Sequence, residues 1–249
     1  MKLNCDMGES YGAWEIGADQ DVMPWVNQAN IACGFHAGDP DVMAQTIQLA
    51  IKYNVQIGAH PGYNDKQGFG RRSIAHCYAQ ITHLVCYQVG ALSALCALQG
   101  KPLEYVKPHG ALYNDMMADI RIFAAIIDAL VSFKTPLALM ILARPDLQAY
   151  HKIAEQAGIK LILEAFADRA YDETGHLVAR SQEGAVLNSA ELIKKQVKQL
   201  IDRQTVSTRN GKEIKLKVDT ICVHGDNAAG ILLVKQLQHL LTQFRLTDK

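Results

Sequence analysis

No charge of either sign dominates this chain: 25 lysines and arginines balance 25 aspartates and glutamates over 249 residues. A neutral chain has no field to draw it to nucleic acid or to an anionic membrane surface, so a charged partner must be recognised locally. Six cysteines (Cys5, Cys33, Cys77, Cys86, Cys96 and Cys222) form no Cys-x-x-Cys pair and have mostly apolar neighbours. That favours reduced, buried thiols over disulfides or zinc. The opening Met1-Lys-Leu-Asn-Cys-Asp6 lacks the apolar core of a signal peptide, and no uninterrupted apolar run approaches the ~20 residues of a membrane helix. A soluble cytoplasmic protein is the expectation. Neither Gly-x-x-x-x-Gly-Lys-Ser/Thr nor Gly-x-Gly-x-x-Gly occurs, which disfavours the common mononucleotide and dinucleotide folds. With no fixed-period repeat, low-complexity tract or linker-like shift, the expectation is a single domain over residues 1–249.

What the chain does contain is alternation. Candidate strands at 2–6, 29–33, 55–59, 104–107, 136–142, 159–164 and 219–223 are separated by helix-length segments. This pattern implies a parallel α/β sheet, closed into a barrel or doubly wound, and the length is close to the ~250 residues of a β/α barrel. Asp39-Pro40-Asp41 reads as an N-cap, an N1 proline and a first-turn acid for a helix running to Tyr53. Arg144-Pro145-Asp146 opens another that stops at Gly158, the longest helix runs from near Ile74 to Leu98, and the last from about Asn227 to Phe244. Residues 165–188 read as a long loop, and Asn210-Gly211 within 205–217 predicts a type I′ hairpin.

Polar residues follow the apolar runs with regularity. Asp6, His36, His60, Lys107 and His109, Glu164 and Asp168, and His224 and Asp226 all sit at or just beyond candidate strand ends. In a parallel barrel these ends share one face, where ligands bind. Alternation puts Lys107 with His109, His224 with Asp226, and Asn4 with Asp6 on common sides of their strands. Buried lysine, asparagine and aspartate are costly unless paired, so their convergence predicts a polar pocket. Because Lys107 and His109 would face a solvated pocket, their truncation is expected to leave folding nearly unaffected. Gly68-Phe-Gly-Arg-Arg72 reads as a flexible anion-binding loop that offers Arg71 and Arg72 to a phosphate, whereas Asp39 is read as a helix cap and Asp65 as a loop residue.

Seven segments in order, Asn4-Cys-Asp-Met-Gly-Glu-Ser10, Asn30-Ile-Ala-Cys-Gly-Phe-His-Ala-Gly-Asp39, Ile57-Gly-Ala-His-Pro-Gly-Tyr63, Gly68-Phe-Gly-Arg-Arg72, Val106-Lys-Pro-His-Gly-Ala-Leu-Tyr113, Glu164-Ala-Phe-Ala-Asp-Arg-Ala-Tyr171 and Cys222-Val-His-Gly-Asp226, closely resemble the LamB/YcsF family. The resemblance implies a seven-stranded parallel β/α barrel, TIM-like and of the glycoside hydrolase/deacetylase type. It also implies cleavage of 5-oxo-L-proline to L-glutamate, driven by ATP (with magnesium) going to ADP and phosphate, in a 5-oxoprolinase with partner subunits B and C. A homo-oligomer is also admitted.

Under that chemistry Lys107, Arg71 or Arg72 would meet phosphate or oxyanion charge, and His109 or His224 would move a proton. Asp6 and Asp226 would orient a histidine or attract a cation, with Glu164 or Asp168 as a further base. Two other readings stay open. The superfamily suggests a metal-dependent deacetylase or carbohydrate hydrolase with Asp6, His36 and His60 on a metal, although the usual His-x-x-x-His pair is absent. A non-catalytic component that only binds substrate is the other.

Overall fold

Each apolar run becomes a strand in the computed structural model, which describes residues 1–225 and 228–247. The strands are β1 (Lys2–Met7), β2 (Gln28–Ala32), β3 (Gln56–His60), β4 (Tyr105–Val106), β5 (Ala138–Leu142), β6 (Leu161–Phe166), a hairpin pair β7 (Thr205–Ser207) and β8 (Glu213–Lys215), and β9 (Thr220–Cys222). All but the hairpin pair in parallel in the order β1-β2-β3-β4-β5-β6-β9, and β9 closes on β1 with Lys2 opposite Thr220 and Asn4 opposite Cys222. The result is a seven-stranded barrel of the TIM type. Closure leaves no free edge.

Around the barrel run α1 (Asp19–Val22), α2 (Pro40–Lys52), α3 (Tyr78–Leu98), α4 (Gly110–Ala118), α5 (Ile120–Val131), α6 (Gln148–Gln156), α7 (Ala190–Arg203) and α8 (Ala228–Thr247). Alternation within each strand sorts the side chains. Leu3, Met7, Ile31 and Ile57 are buried in the main hydrophobic cluster with Ile47, Val89 and Phe123 of the helices. In β1 and β2 the intervening residues Asn4, Asp6, Gln28 and Asn30 face inward and are polar, whereas β5 and β6 turn Met140, Ile162 and Phe166 to the same interior. Asn30 Nδ2 donates to Asn4 Oδ1 at 2.8 Å, Tyr105 Oη donates to Asn30 Oδ1 at 2.7 Å, and Asn4 Nδ2 donates to Thr220 Oγ1 at 3.1 Å. Asn4, Asn30, Tyr105 and Thr220 thus form a buried hydrogen-bonded cluster on the barrel axis, in which each side chain finds the partner its burial requires.

Several expectations are corrected in detail. The helix expected from Ile74 begins at Tyr78, where Gln80 Oε1 accepts the Cys77 N–H at 2.8 Å. Threonine, histidine, glutamine and serine interrupt its apolar run, yet by length and composition it is long and apolar enough to cross a membrane. In the barrel it lies against α5 with Ile81, Leu84, Val85, Val89 and Leu92 buried. The helix expected from Arg144 begins at Gln148, and the helix-length segment between the fourth and fifth strands holds two helices, α4 and α5. The hairpin forms, but its turn is not type I′, which needs positive φ at both central residues. Among the described residues the non-glycine residues with positive φ are Asn54, Phe69 and Gln204, so Asn210 is not among them. Gly211 N–H donates to Thr208 O at 2.9 Å and Thr208 N–H to Lys212 O at 2.7 Å, with Gly211 at φ +82°. That is a type I turn closed by a glycine bulge.

Asp39 does more than start α2. Its carboxylate accepts the N–H groups of Asp41 and Val42 at 3.0 and 2.9 Å, and that of Gly12 at 2.8 Å. It thereby ties the loop after β1 to the helix after β2. Asp39→Ala is expected to cost about 1–2 kcal/mol, the upper part of the range for a lost cap, read as a lower urea midpoint with an unchanged m-value.

Candidate functional site

The site begins with a proline. β4 has only two residues, because Pro108 has no N–H to continue the ladder. The backbone nevertheless stays extended: Lys107 N–H donates to Ala59 O and His109 N–H to Pro61 O, both at 2.8 Å. Alternation is thus preserved through Pro108, and Lys107 and His109 face the same interior.

Lys107, 2 % exposed, puts its ammonium 2.8 Å from Asp6 Oδ1 and 2.8 Å from Glu164 Oε1, with Asn4 Oδ1 and Cys222 Sγ each at 3.4 Å. Burial works against its charge, but the carboxylate of Asp6, with that of Glu164, holds its pKa well above the usual lysine value. Burial likewise opposes ionisation of Asp6, yet His60 and Lys107 outweigh it and keep that carboxyl well below its usual range. Glu164 is wholly enclosed and accepts Tyr113 Oη at 2.9 Å. Burial and then the charge on Glu164 push the Tyr113 phenol well up, so it stays a neutral donor.

Beside this cluster three imidazoles pack together. His60 Nδ1 lies 2.6 Å from Lys107 O, and His109 Nε2 lies 2.8 Å from Phe69 O. Carbonyls only accept, so those two nitrogens carry hydrogens and the opposite ones, His60 Nε2 and His109 Nδ1, face each other across 2.9 Å. His60 Nε2 is also 3.3 Å from Asp6 Oδ2. His36 stacks flat on His109, centroids 3.7 Å apart, and its Nε2 is 3.4 Å from Glu9 Oε1. Burial, then the neighbouring imidazoles, push the pKa values of His36 and His109 well down, while burial and then Asp6 push Glu9 up. Gly70 makes this packing possible: at φ +63°, its missing Cβ would lie 2.7 Å from His36 Cβ and 2.8 Å from His109 Cδ2.

On the open side, His224 Nδ1 lies 2.9 Å from Asp168 Oδ2. Burial disfavours charge on both partners, but each outweighs it for the other: the His224 pKa is raised and that of Asp168 lowered. Solvent reaches the site through the side chains of Asp6 and Glu9 (each 16 % exposed), Asp168 (17 %) and His224 (24 %).

The fold thus gathers Asp6, His36, His60, Lys107, His109, Glu164, Asp168 and His224 at one end of the barrel. Asp226 lies outside the described residues. The arginine pair is different. Arg72 is exposed and bound to Asp65, whose carboxylate also accepts Gly68 N–H at 3.0 Å, and the Arg71 guanidinium lies over the Phe69 ring at 5.2 Å. The segment expected to be a flexible anion loop is a latched one, and Asp65, read as a plain loop residue, is 5 % exposed and its anchor. Nor is Lys107 in a solvated pocket. Sequence reasoning passed over Glu9, Tyr113 and Cys222. Glu9 lay within a quoted motif, but Gly8 at φ +67° ends the strand alternation that would have shown its direction.

Among the described residues, two groups of side chains bring potential metal-binding atoms within 4.8 Å of one another: Glu9, His36, His60 and His109, and separately Asp6, Cys222 and His224. The Lys107 ammonium already lies against Asp6 and Cys222 of the second group.

Residues 1–248 match the LamB/YcsF family. The 5-oxoprolinase A subunit of Vibrio vulnificus (strain YJ016) is 55 % identical over 98 % of both chains, and that of Vibrio campbellii is 54 % identical over 97 % of this chain and 95 % of its own. The crystal structure of a lactam utilization protein from Thermus thermophilus superimposes with a TM-score of 0.89 at 37 % identity, covering 98 % of this chain and 96 % of that one.

Removing the Lys107 ammonium would strand two buried carboxylates. Lys107→Met is expected to cost about 3–5 kcal/mol in urea unfolding, the scale for breaking a buried pair. Adding Glu164→Gln should recover part of that loss, because it removes one of the stranded charges. A double variant no more stable than the single one would refute the charge explanation.

Proposed function

This chain belongs to the LamB/YcsF family, and on that premise we propose that it is the A subunit of an ATP-hydrolysing 5-oxoprolinase, opening the lactam of 5-oxo-L-proline to L-glutamate. The observation that carries the reading is the near full-length match to proteins of that name. Similarity to a lactam utilization protein agrees with it.

The chemistry sets requirements that the barrel mouth can meet. A lactam carbonyl is a poor electrophile, and phosphorylation of its oxygen by ATP makes the ring carbon a good one. Water then adds, the C–N bond breaks as the nitrogen takes a proton, and a further water releases phosphate from the resulting acyl phosphate. The products are glutamate, ADP and phosphate. One group must therefore take a proton from water and return one to the departing nitrogen.

In this reading that group is His224. Asp168 fixes its Nδ1 hydrogen and leaves Nε2 as the base, on the most exposed side chain of the set. Asp6, kept ionised by Lys107 and His60, supplies fixed negative charge beside it. Lys107 is saturated by Asp6 and Glu164 and acts on substrate only through Asp6. The chain carries neither common phosphate-binding motif, and Arg72 is committed to Asp65. The nucleotide and its magnesium are accordingly assigned to the assembled complex with subunits B and C.

The direct test is release of glutamate from 5-oxoproline with ATP, using the chain alone and with subunits B and C. Little turnover is expected alone and robust turnover with the partners. Robust activity of the isolated chain would refute the division of labour, and no glutamate from the full set would refute the function.

A pH profile tests the base. The Asp168 carboxylate raises the His224 pKa, and a base is active when deprotonated, so the acidic limb of kcat should lie above pH ~6.5, the ordinary histidine value. Asp168→Asn removes that charge while burial still disfavours the imidazolium. The limb should move to lower pH while kcat falls by roughly 10²-fold or more. An unmoved limb would exclude His224.

A further inference from the structure

We propose that Glu9, His36, His60 and His109 form a site for one divalent transition-metal ion, and that zinc is the ion this donor set fits best. The site follows from side-chain geometry and does not depend on which substrate the barrel takes.

The four donors lie within 4.8 Å of one another, and three of their spacings are close to those of a coordination sphere. Four-coordinate zinc with donors at about 2.0–2.1 Å has neighbouring donors about 3.3 Å apart. Here His60 Nε2 and His109 Nδ1 are separated by 2.9 Å, His36 Nε2 and Glu9 Oε1 by 3.4 Å, and His109 Nδ1 and Glu9 Oε1 by 3.7 Å. Three imidazoles with one carboxylate are a borderline donor set that zinc accepts readily.

Two of the rings are also aimed. Metal-binding histidines generally donate their remote N–H to a carbonyl or carboxylate, which points the other nitrogen at the ion. His60 and His109 do this through Lys107 O and Phe69 O. Their inward nitrogens then present lone pairs to each other, so a positive centre, proton or metal, must lie between them.

His36 decides between the two. It is 1 % exposed, and neither of its ring nitrogens has a hydrogen-bond partner. Glu9 Oε1, beside it, is also buried without one. A proton shared by His60 and His109 satisfies only that pair and leaves His36 and Glu9 stranded. A metal ion satisfies all of them, provided that the His36 ring, which lies flat on His109 at 3.7 Å, turns to point Nε2 at the ion. The alternative group of Asp6, Cys222 and His224 offers no comparable vacancy, because Lys107 is already hydrogen-bonded to Asp6 and Cys222.

The test uses the untagged full chain, stripped with a chelator. Zinc titration by calorimetry, with metal analysis after gel filtration, should show one tight equivalent per chain and a raised Tm. Cobalt(II) in its place should give the intense visible absorption of a four-coordinate centre, not the weak bands of a hydrated ion. His36→Gln and Glu9→Gln should each weaken zinc binding by roughly a hundredfold or more, since even the partners that orient metal ligands are worth 10–100-fold. His83→Ala, on the exposed side of α3, should bind like the parent. The parent titration keeps the proposal falsifiable if a variant fails to fold. Absence of a stoichiometric zinc equivalent in the parent, or affinity unchanged in both His36→Gln and Glu9→Gln, would overturn it. Because binding is read without turnover, it can fail while the 5-oxoprolinase reading stands, and the reverse.

Discussion

A lysine ammonium buried in the barrel axis is the constraint on which the rest of this structure depends. Two carboxylates at 2.8 Å compensate Lys107, one from β1 and one from β6, while Lys107 itself follows β4. Strands far apart around the barrel are thus tied through its centre by charge. The surrounding groups follow from that choice. Asn30 donates to both Asp6 and Asn4, Tyr113 donates to Glu164, and Tyr105 donates to Asn30. A half-satisfied network of this kind is worse than an apolar core, so the members stand or fall together.

The loop after β3 is the second constraint, and it shows how a surface motif serves a buried site. Asp65 holds Arg72 and the Gly68 N–H, and accepts Gly70 N–H at its carbonyl at 2.9 Å. Gly70 O in turn accepts Ala111 N–H at 2.9 Å, stitching the loop to the first turn of α4. Held this way, Phe69 O meets His109 Nε2, and Gly70 presses on two imidazoles that any larger residue would displace. The arginine that looked poised for an anion keeps a histidine in place from a distance.

These two constraints explain what the sequence disclosed. Passage from apolar run to polar residue marks a strand end whatever lies beyond it, so all seven barrel strands and the convergence of Asp6, His60, Lys107 and His109 were legible. Pairing was not. Nothing in Gly68-Phe-Gly-Arg-Arg72 says that Asp65, seven residues before Arg72, has claimed its charge, and nothing in Val106-Lys107 distinguishes a solvated lysine from an enclosed one. Alternation also fails where the chain turns. Glu9 lies past a left-handed glycine, and Tyr113 lies within a helix, so neither belonged to a strand whose parity could aim it. The Asn-Gly pair marked a hairpin correctly but not its turn, because the same dipeptide also serves a type I turn with glycine in the bulge.

Exposure separates the site into two halves with different capacities. His36, His60 and His109 are each at most 5 % exposed, and the outer nitrogens of His60 and His109 are spent on carbonyls. Such groups can bind a cation firmly, but they cannot turn toward a substrate and back during a reaction. His224 has one nitrogen fixed by Asp168 and a ring that reaches solvent, which suits it to exchanging protons. Asp6 stands between the halves, in contact with His60 on one side and with Lys107 below. Its charge is felt by both, so a positive centre placed among the buried imidazoles would lower the negative potential that Asp6 presents to a reacting group at the mouth. The closed half is therefore placed to tune the open half through one shared carboxylate.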